Sequence, residues 1–137
     1  MTTVTKSLEI SMPATPASIR EVRAKVAELA AEAGADERVV DEVRLCVGEA
    51  VTNAVVHGYA SQPGTVDVVA ELTGDELTVV VRDEGTGLAD FRRDGDIGYG
   101  LRIIDRLTGS YELRSAPNVG TQIRMNFPLA APSFEPA

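Results

Sequence analysis

Aromatic side chains are scarce in this sequence: three Phe, three Tyr and no Trp make up 4% of its 137 residues. Hydrophobic content is nevertheless 44%. A core must therefore be assembled from Val, Leu, Ile and Ala, and the length is that of one domain, with residues 130–137 as a frayed tail. Cysteine is nearly absent. The single Cys46 cannot close an intramolecular disulfide, and its place in an apolar helical stretch makes it a small core residue rather than a nucleophile. Positive charge is in deficit, with 13 Lys and Arg against 21 Asp and Glu, a net charge of -8. No basic patch stands out that could displace counterions from a nucleic-acid backbone. No apolar run approaches the roughly 20 residues needed to span a bilayer. The N-terminus lacks the basic segment and apolar stretch of a secretory signal. These absences point to a soluble cytoplasmic protein that binds neither nucleic acid nor membrane directly.

What is present is regular. Residues 7–12 alternate apolar and polar and read as a strand ended by Pro13. Thr15 followed by Pro16 has the form of a helix cap and first turn. Ile19, Val22, Val26, Leu29 and Ala30 then recur at helical spacing until Gly34. Arg20, Arg23 and Lys25 fall on or near the outer side of that helix, as a solvated face or a docking surface. Asp36 can cap a second helix running to about His57, with Gly58 as terminator and Val39, Val40, Val43, Leu45, Cys46 and Val47 as its apolar face. Residues 65–72 and 76–82 read as two strands joined at Gly74-Asp75. Residues 88–96 have no period and read as a mobile loop. Leu101, Ile103, Ile104 and Leu107 mark a third helix, ending at Gly109, and strands 110–115 and 121–129 form a last hairpin. Two hairpins and three helices predict a two-layer α/β sandwich (α+β): a mixed, mostly antiparallel sheet with helices on one face.

The second helix carries the most informative stretch. Glu49, Asn53 and His57 recur every fourth residue, so on an α-helix they form one polar stripe between Ala50, Val51, Ala54, Val55 and Val56. A carboxylate and a carboxamide one turn apart suit general-base work beside magnesium; the polar edge of an ordinary helix has the same pattern. Downstream, Asp83-Glu84-Gly85-Thr86-Gly87 ends a strand, Gly98-Tyr99-Gly100 opens a helix, and Gly120-Thr121 enters a late strand. Glycines beside Asp83 let a flat ring approach the backbone, and a glycine turn feeding a helix can offer N–H groups to phosphate.

In these residues the sequence resembles the GHKL ATPases, which share the Bergerat nucleotide fold. It is most similar to the small anti-sigma-factor serine kinases of bacterial partner switching. Residues 49–58 match their N-box, 83–87 their G1 box, Gly98-Tyr99-Gly100-Leu101 their G2 box, and Gly120-Thr121 their last pocket element. The resemblance implies ATP and Mg2+ as cofactors. It makes Glu49 the general base that activates a serine hydroxyl and Asn53 the magnesium ligand. Asp83, helped by Thr121, would bind the adenine amine; Gly85 and Gly87 would shape the base pocket; Gly98, Gly100 and Leu101 would belong to the closing lid. A sigma factor, a STAS-domain antagonist and a homodimer are the implied partners. The loop at 88–97 is shorter than the lid of sensor histidine kinases, whose dimerisation helices and phosphoacceptor histidine are also missing, which favours a stand-alone serine kinase. A nucleotide-dependent binding module without phosphoryl transfer, or a kinase acting on another stress-signalling partner, are the alternatives. His57 falls where a histidine can stabilise the helix dipole, and Arg102 could meet a phosphate or remain solvated.

Overall fold

A computed structural model of the chain describes residues 3–59, 63–85 and 95–129. The elements are β1 (Val4–Pro13), α1 (Pro16–Glu32), α2 (Glu37–Thr52), a π-helical segment (Asn53–Gly58), β2 (Thr65–Thr73), β3 (Glu76–Asp83), α3 (Gly95–Leu107), β4 (Ser110–Ala116) and β5 (Gly120–Pro128). The local signals explain the boundaries. Thr15 Oγ1 accepts the Ser18 N–H and Asp36 Oδ1 accepts the Val39 N–H, each satisfying an otherwise orphaned donor at a helix start. Gly34 follows α1 at φ +91°, a conformation open to glycine at little cost. Gly74 turns the β2–β3 hairpin at φ +60°.

The five strands pair antiparallel throughout in the order β1-β2-β3-β5-β4, so the α+β class holds, with a sheet simpler than a mixed one. Alternation decides which face is covered. Val66, Val68, Ala70 and Leu72 of β2, Leu77, Val79 and Val81 of β3, and Ile123, Met125 and Phe127 of β5 are buried on one side. Val22, Val26, Val43, Val47, Val51 and Ile104 of the helices complete that layer. Asp83 and Thr121 extend the same buried face by one more position each, at 6% exposure, so the apolar layer ends in two polar side chains.

Four expectations are corrected. The second helix does not stay α to His57: over Asn53–Gly58 it widens to a π-turn, closed by the Tyr59 N–H on Ala54 O. The wider turn keeps Ala54 and Val55 in the core and delivers Tyr59 to the strand ends, while Val56 is left 44% exposed. The four-residue stripe therefore holds for Glu49 and Asn53 but not for His57. Leu45 is also exposed, because it stands two positions from Val43 and from Val47, a step of about 200° that turns it away from their side. Arg23 is half-buried: its stem crosses Gly48 of α2, where an added Cβ would stand 2.8 Å from Arg23 Cδ. Finally, α3 begins at Gly95, so Gly98 and Gly100 lie inside the helix rather than ahead of it. In the sequence Ile97 stands four residues before Leu101, so the apolar period runs on through both glycines.

Cys46 is fully buried, as its sequence context requires, and burial pushes its thiol up to about 12, with the charges of Glu42 and Glu49 adding to the effect. The thiolate is the reactive form. We expect the native protein to show no reaction with a chromogenic disulfide reagent at pH 8, and one equivalent of thiol to appear on unfolding in guanidinium. Rapid labelling of the native protein would contradict this burial.

Candidate functional site

The first half of the site lies where α2 runs into the π-turn. Glu49 is half-buried in the last α-turn and Asn53 is 4% exposed at the first π position. Gly100 of α3 sits directly against them. A Cβ built on Gly100 would lie 2.9 Å from Glu49 Oε2 and 3.7 Å from Asn53 Oδ1. The missing side chain thus lets α3 approach closely over a carboxylate and a carboxamide on adjacent turns. The structure brings Gly100 against two residues that lie about 50 positions earlier in the sequence.

The second half lies at the end of the buried sheet face. Asp83 and Thr121 are directly paired on β3 and β5. Asp83 Oδ1 accepts the Gly85 N–H at 2.9 Å. Burial raises its pKa above the ordinary carboxylate value, and the backbone N–H groups of Gly85 and Thr121 pull the other way. Thr121 Oγ1 shares a hydrogen bond with Ser115 Oγ at 3.0 Å. Gly120, at φ +133°, passes so close that a Cβ would lie 2.1 Å from Asp83 O and 2.9 Å from Glu84 Cα. Any other residue would drive the two strand ends apart. A cleft of about 400 Å³ opens beside Asp83, Ser115, Gly120 and Thr121.

Two contributors were not legible in the sequence. Ser115 reads there as an ordinary strand residue. Tyr59 lies between the helix terminator Gly58 and the strand that follows, and its hydroxyl accepts the Glu84 N–H at 2.8 Å and donates to Thr65 O at 2.7 Å. The one available signal was an aromatic residue directly after the helix terminator in a chain with few aromatics.

The remaining candidates are dispersed. Leu101 is buried in the core, Arg102 is exposed on α3, and His57 is half-buried in the last turn of the π-segment. Gly98 is helical. Gly87 and most of the expected mobile loop at 88–97 lie outside the described residues; positions 95–97 are helix.

The donor set bears on magnesium. Among the described residues no group of three His, Cys, Asp or Glu side chains converges, so no zinc-type cage is built. The buried Asn53 carboxamide has no hydrogen-bond partner for its Nδ2. An unsatisfied buried amide is costly, and rotation of the group by a half-turn presents its oxygen instead. One amide oxygen beside a carboxylate fits a hard ion that keeps most of its waters and takes its other oxygens from phosphate.

Comparisons with known proteins bear on the family and the fold. Residues 12–127 match the family described as "Histidine kinase-like ATPase domain". The chain is 29% identical over 114 residues to the "Anti-sigma F factor" of Thermoanaerobacter sp. (strain X514), covering 75% of this chain and 80% of the relative. It is 31% identical to that of Clostridium acetobutylicum over the same shares, and 34% identical over 101 residues to that of Oceanobacillus iheyensis, covering 65% and 69%. Among solved structures it is similar to "The crystal structure of the RsbU and RsbW domains of Rv1364c from Mycobacterium tuberculosis", with TM-score 0.74, 30% identity and 94% of this chain aligned. The chain spans about a third of that longer protein, 34% of its length. No helix among the described residues is long and apolar enough to cross a membrane. With the match covering most of its length, the chain belongs to the histidine kinase-like ATPase domain family.

Proposed function

We propose that this chain is an ATP-dependent anti-sigma factor and protein serine kinase. In this reading residues 1–137 act as one unit that binds a sigma factor, phosphorylates a serine of a STAS-type antagonist, and works as a homodimer. The observation that carries the enzymatic reading is the convergence of Glu49 and Asn53 beneath the bare Gly100. A protein that only bound nucleotide would have no use for a carboxylate held there.

The chemistry follows from the residues. Asp83 accepts a hydrogen bond from the exocyclic amine of adenine, and the Ser115–Thr121 hydroxyl pair flanks the ring. Glu49 takes the proton of the incoming serine hydroxyl as its oxygen forms a bond to the γ-phosphorus. The bond from that phosphorus to the bridging oxygen breaks, and ADP leaves with the electron pair. Asn53, with the phosphates, would hold Mg2+, which when bound neutralises phosphate charge. Phosphoryl transfer requires positioning and charge neutralisation more than covalent help, so this small set of groups is sufficient.

The test is incubation with γ-labelled ATP and candidate STAS-domain proteins, read as phosphoserine and as release of the labelled protein. Labelling of a serine is the expected result. If no candidate is labelled while ATP still changes which partner is held, the chain is a nucleotide-dependent binding module instead.

A further inference from the structure

The β2–β3 ladder ends at the pair Val66–Asp83. The next rung would join Thr65 to Glu84 directly, backbone to backbone. The Tyr59 hydroxyl occupies that rung instead, taking the Glu84 N–H on one side and giving its own proton to Thr65 O on the other. The two strands are held apart there by two hydrogen-bond lengths rather than one. The ring is held in turn, because it lies where a Cβ on Gly64 would stand 2.4 Å from its atoms. Gly64 O also accepts the Ala14 N–H, tying this corner to the end of β1. From the far side Gly120 presses against Asp83 O and Glu84 Cα. The Asp83–Glu84 peptide is thus clamped between Tyr59 and Gly120.

Tyr59 also closes the π-turn that begins at Asn53. One residue therefore links the segment carrying the carboxamide to the strand end carrying the buried carboxylate. We infer that Tyr59 is a positioning residue: its hydroxyl is a spacer rung that opens the strand end and aims the Asp83 carboxylate at the nucleobase. This inference rests on the nucleotide reading above. It assigns Tyr59 no contact with ATP.

The clean variant is Tyr59→Phe, which keeps the ring against Gly64 and removes the rung. Losing a hydrogen bond of ordinary net worth should weaken ATP binding about five- to tenfold, while GTP, whose base offers no amine at that position, should bind as before. The ATP-to-GTP preference, measured by calorimetry with Mg2+, should fall by the same factor. Phosphoryl transfer at saturating ATP should stay within about twofold of wild type, because Glu49 and Asn53 are not touched. In a double-variant cycle, Tyr59→Phe added to Asp83→Asn should cost no further ATP affinity, since the hydroxyl acts through that carboxylate. An equal loss for ATP and GTP, an unchanged preference, or losses that multiply in the double variant would each overturn the inference and leave Tyr59 a structural strut. If the wild-type protein itself fails to prefer ATP over GTP, the adenine assignment of Asp83 falls first and the role of Tyr59 with it.

Discussion

Glu49→Gln is expected to leave ATP binding near wild type while cutting transfer to the protein serine by about 10²–10⁴, the span of a lost general base. The substitution keeps the size and the hydrogen-bonding reach of the side chain beneath Gly100 and removes its basicity. Asn53→Ala should behave differently. It removes the oxygen available to magnesium and should weaken magnesium-dependent ATP binding as well as transfer. The contrast is the informative part: one adjacent turn of the same helix would separate a loss confined to turnover from a loss that begins at binding. Single-turnover transfer with labelled ATP, beside calorimetric titration, distinguishes them. A Glu49→Gln protein that labels its substrate at the wild-type rate would show that the proton goes elsewhere.

Asp83→Asn is expected to weaken ATP binding at least tenfold and to change the pH dependence of the nucleotide-free protein. An amide nitrogen aimed at the adenine amine sets donor against donor and leaves buried groups unpaired, a loss of about 1–3 kcal/mol. The effect on the free protein has the opposite sign. Burial raises the Asp83 pKa in the folded chain above its ordinary value, so the folded state binds this proton more tightly than the unfolded state does. Its contribution to stability is therefore fully present below the ordinary carboxylate pKa and is lost as pH rises through the raised one. Without nucleotide, the wild type carries that cost at neutral pH and Asp83→Asn does not. The variant should lack this segment of the pH–stability curve in urea titrations carried from neutral pH down through the ordinary carboxylate range. Coincident curves for the two proteins would mean that Asp83 is solvated when no nucleotide is bound.

The caps and turns at Thr15, Asp36, Gly34 and Gly74 were legible because each depends on a few consecutive residues. The resemblance named Glu49, Asn53, Asp83 and Thr121, and the structure gathers them into two groups at the helix junction and the strand end. What stayed hidden is through-space. Nothing near Gly100 announces that it rests on Glu49, and nothing near Tyr59 announces a rung between Thr65 and Glu84. The π-turn was missed for a related reason: a four-residue repeat looks the same in sequence whether the backbone ladder closes over four residues or five, and the choice falls to the packing of Ala54, Val55 and Tyr59. The start of α3 was misjudged because glycines were read as punctuation, whereas the apolar period ran through them.

The position of β5 bears on how the protein is made. It lies between β3 and β4, although it follows both in the chain. During synthesis the ribosome releases β1, the two helices and then the β2–β3 hairpin, whose strands can pair as they emerge, but β3 keeps one bare edge until residues 120–128 emerge. Until then β4 has no strand to pair with, and Asp83 has no Thr121 opposite it. The nascent chain must therefore hold a sticky edge open through the synthesis of α3 and β4, a window in which pairing with a neighbouring chain competes with completion of the sheet.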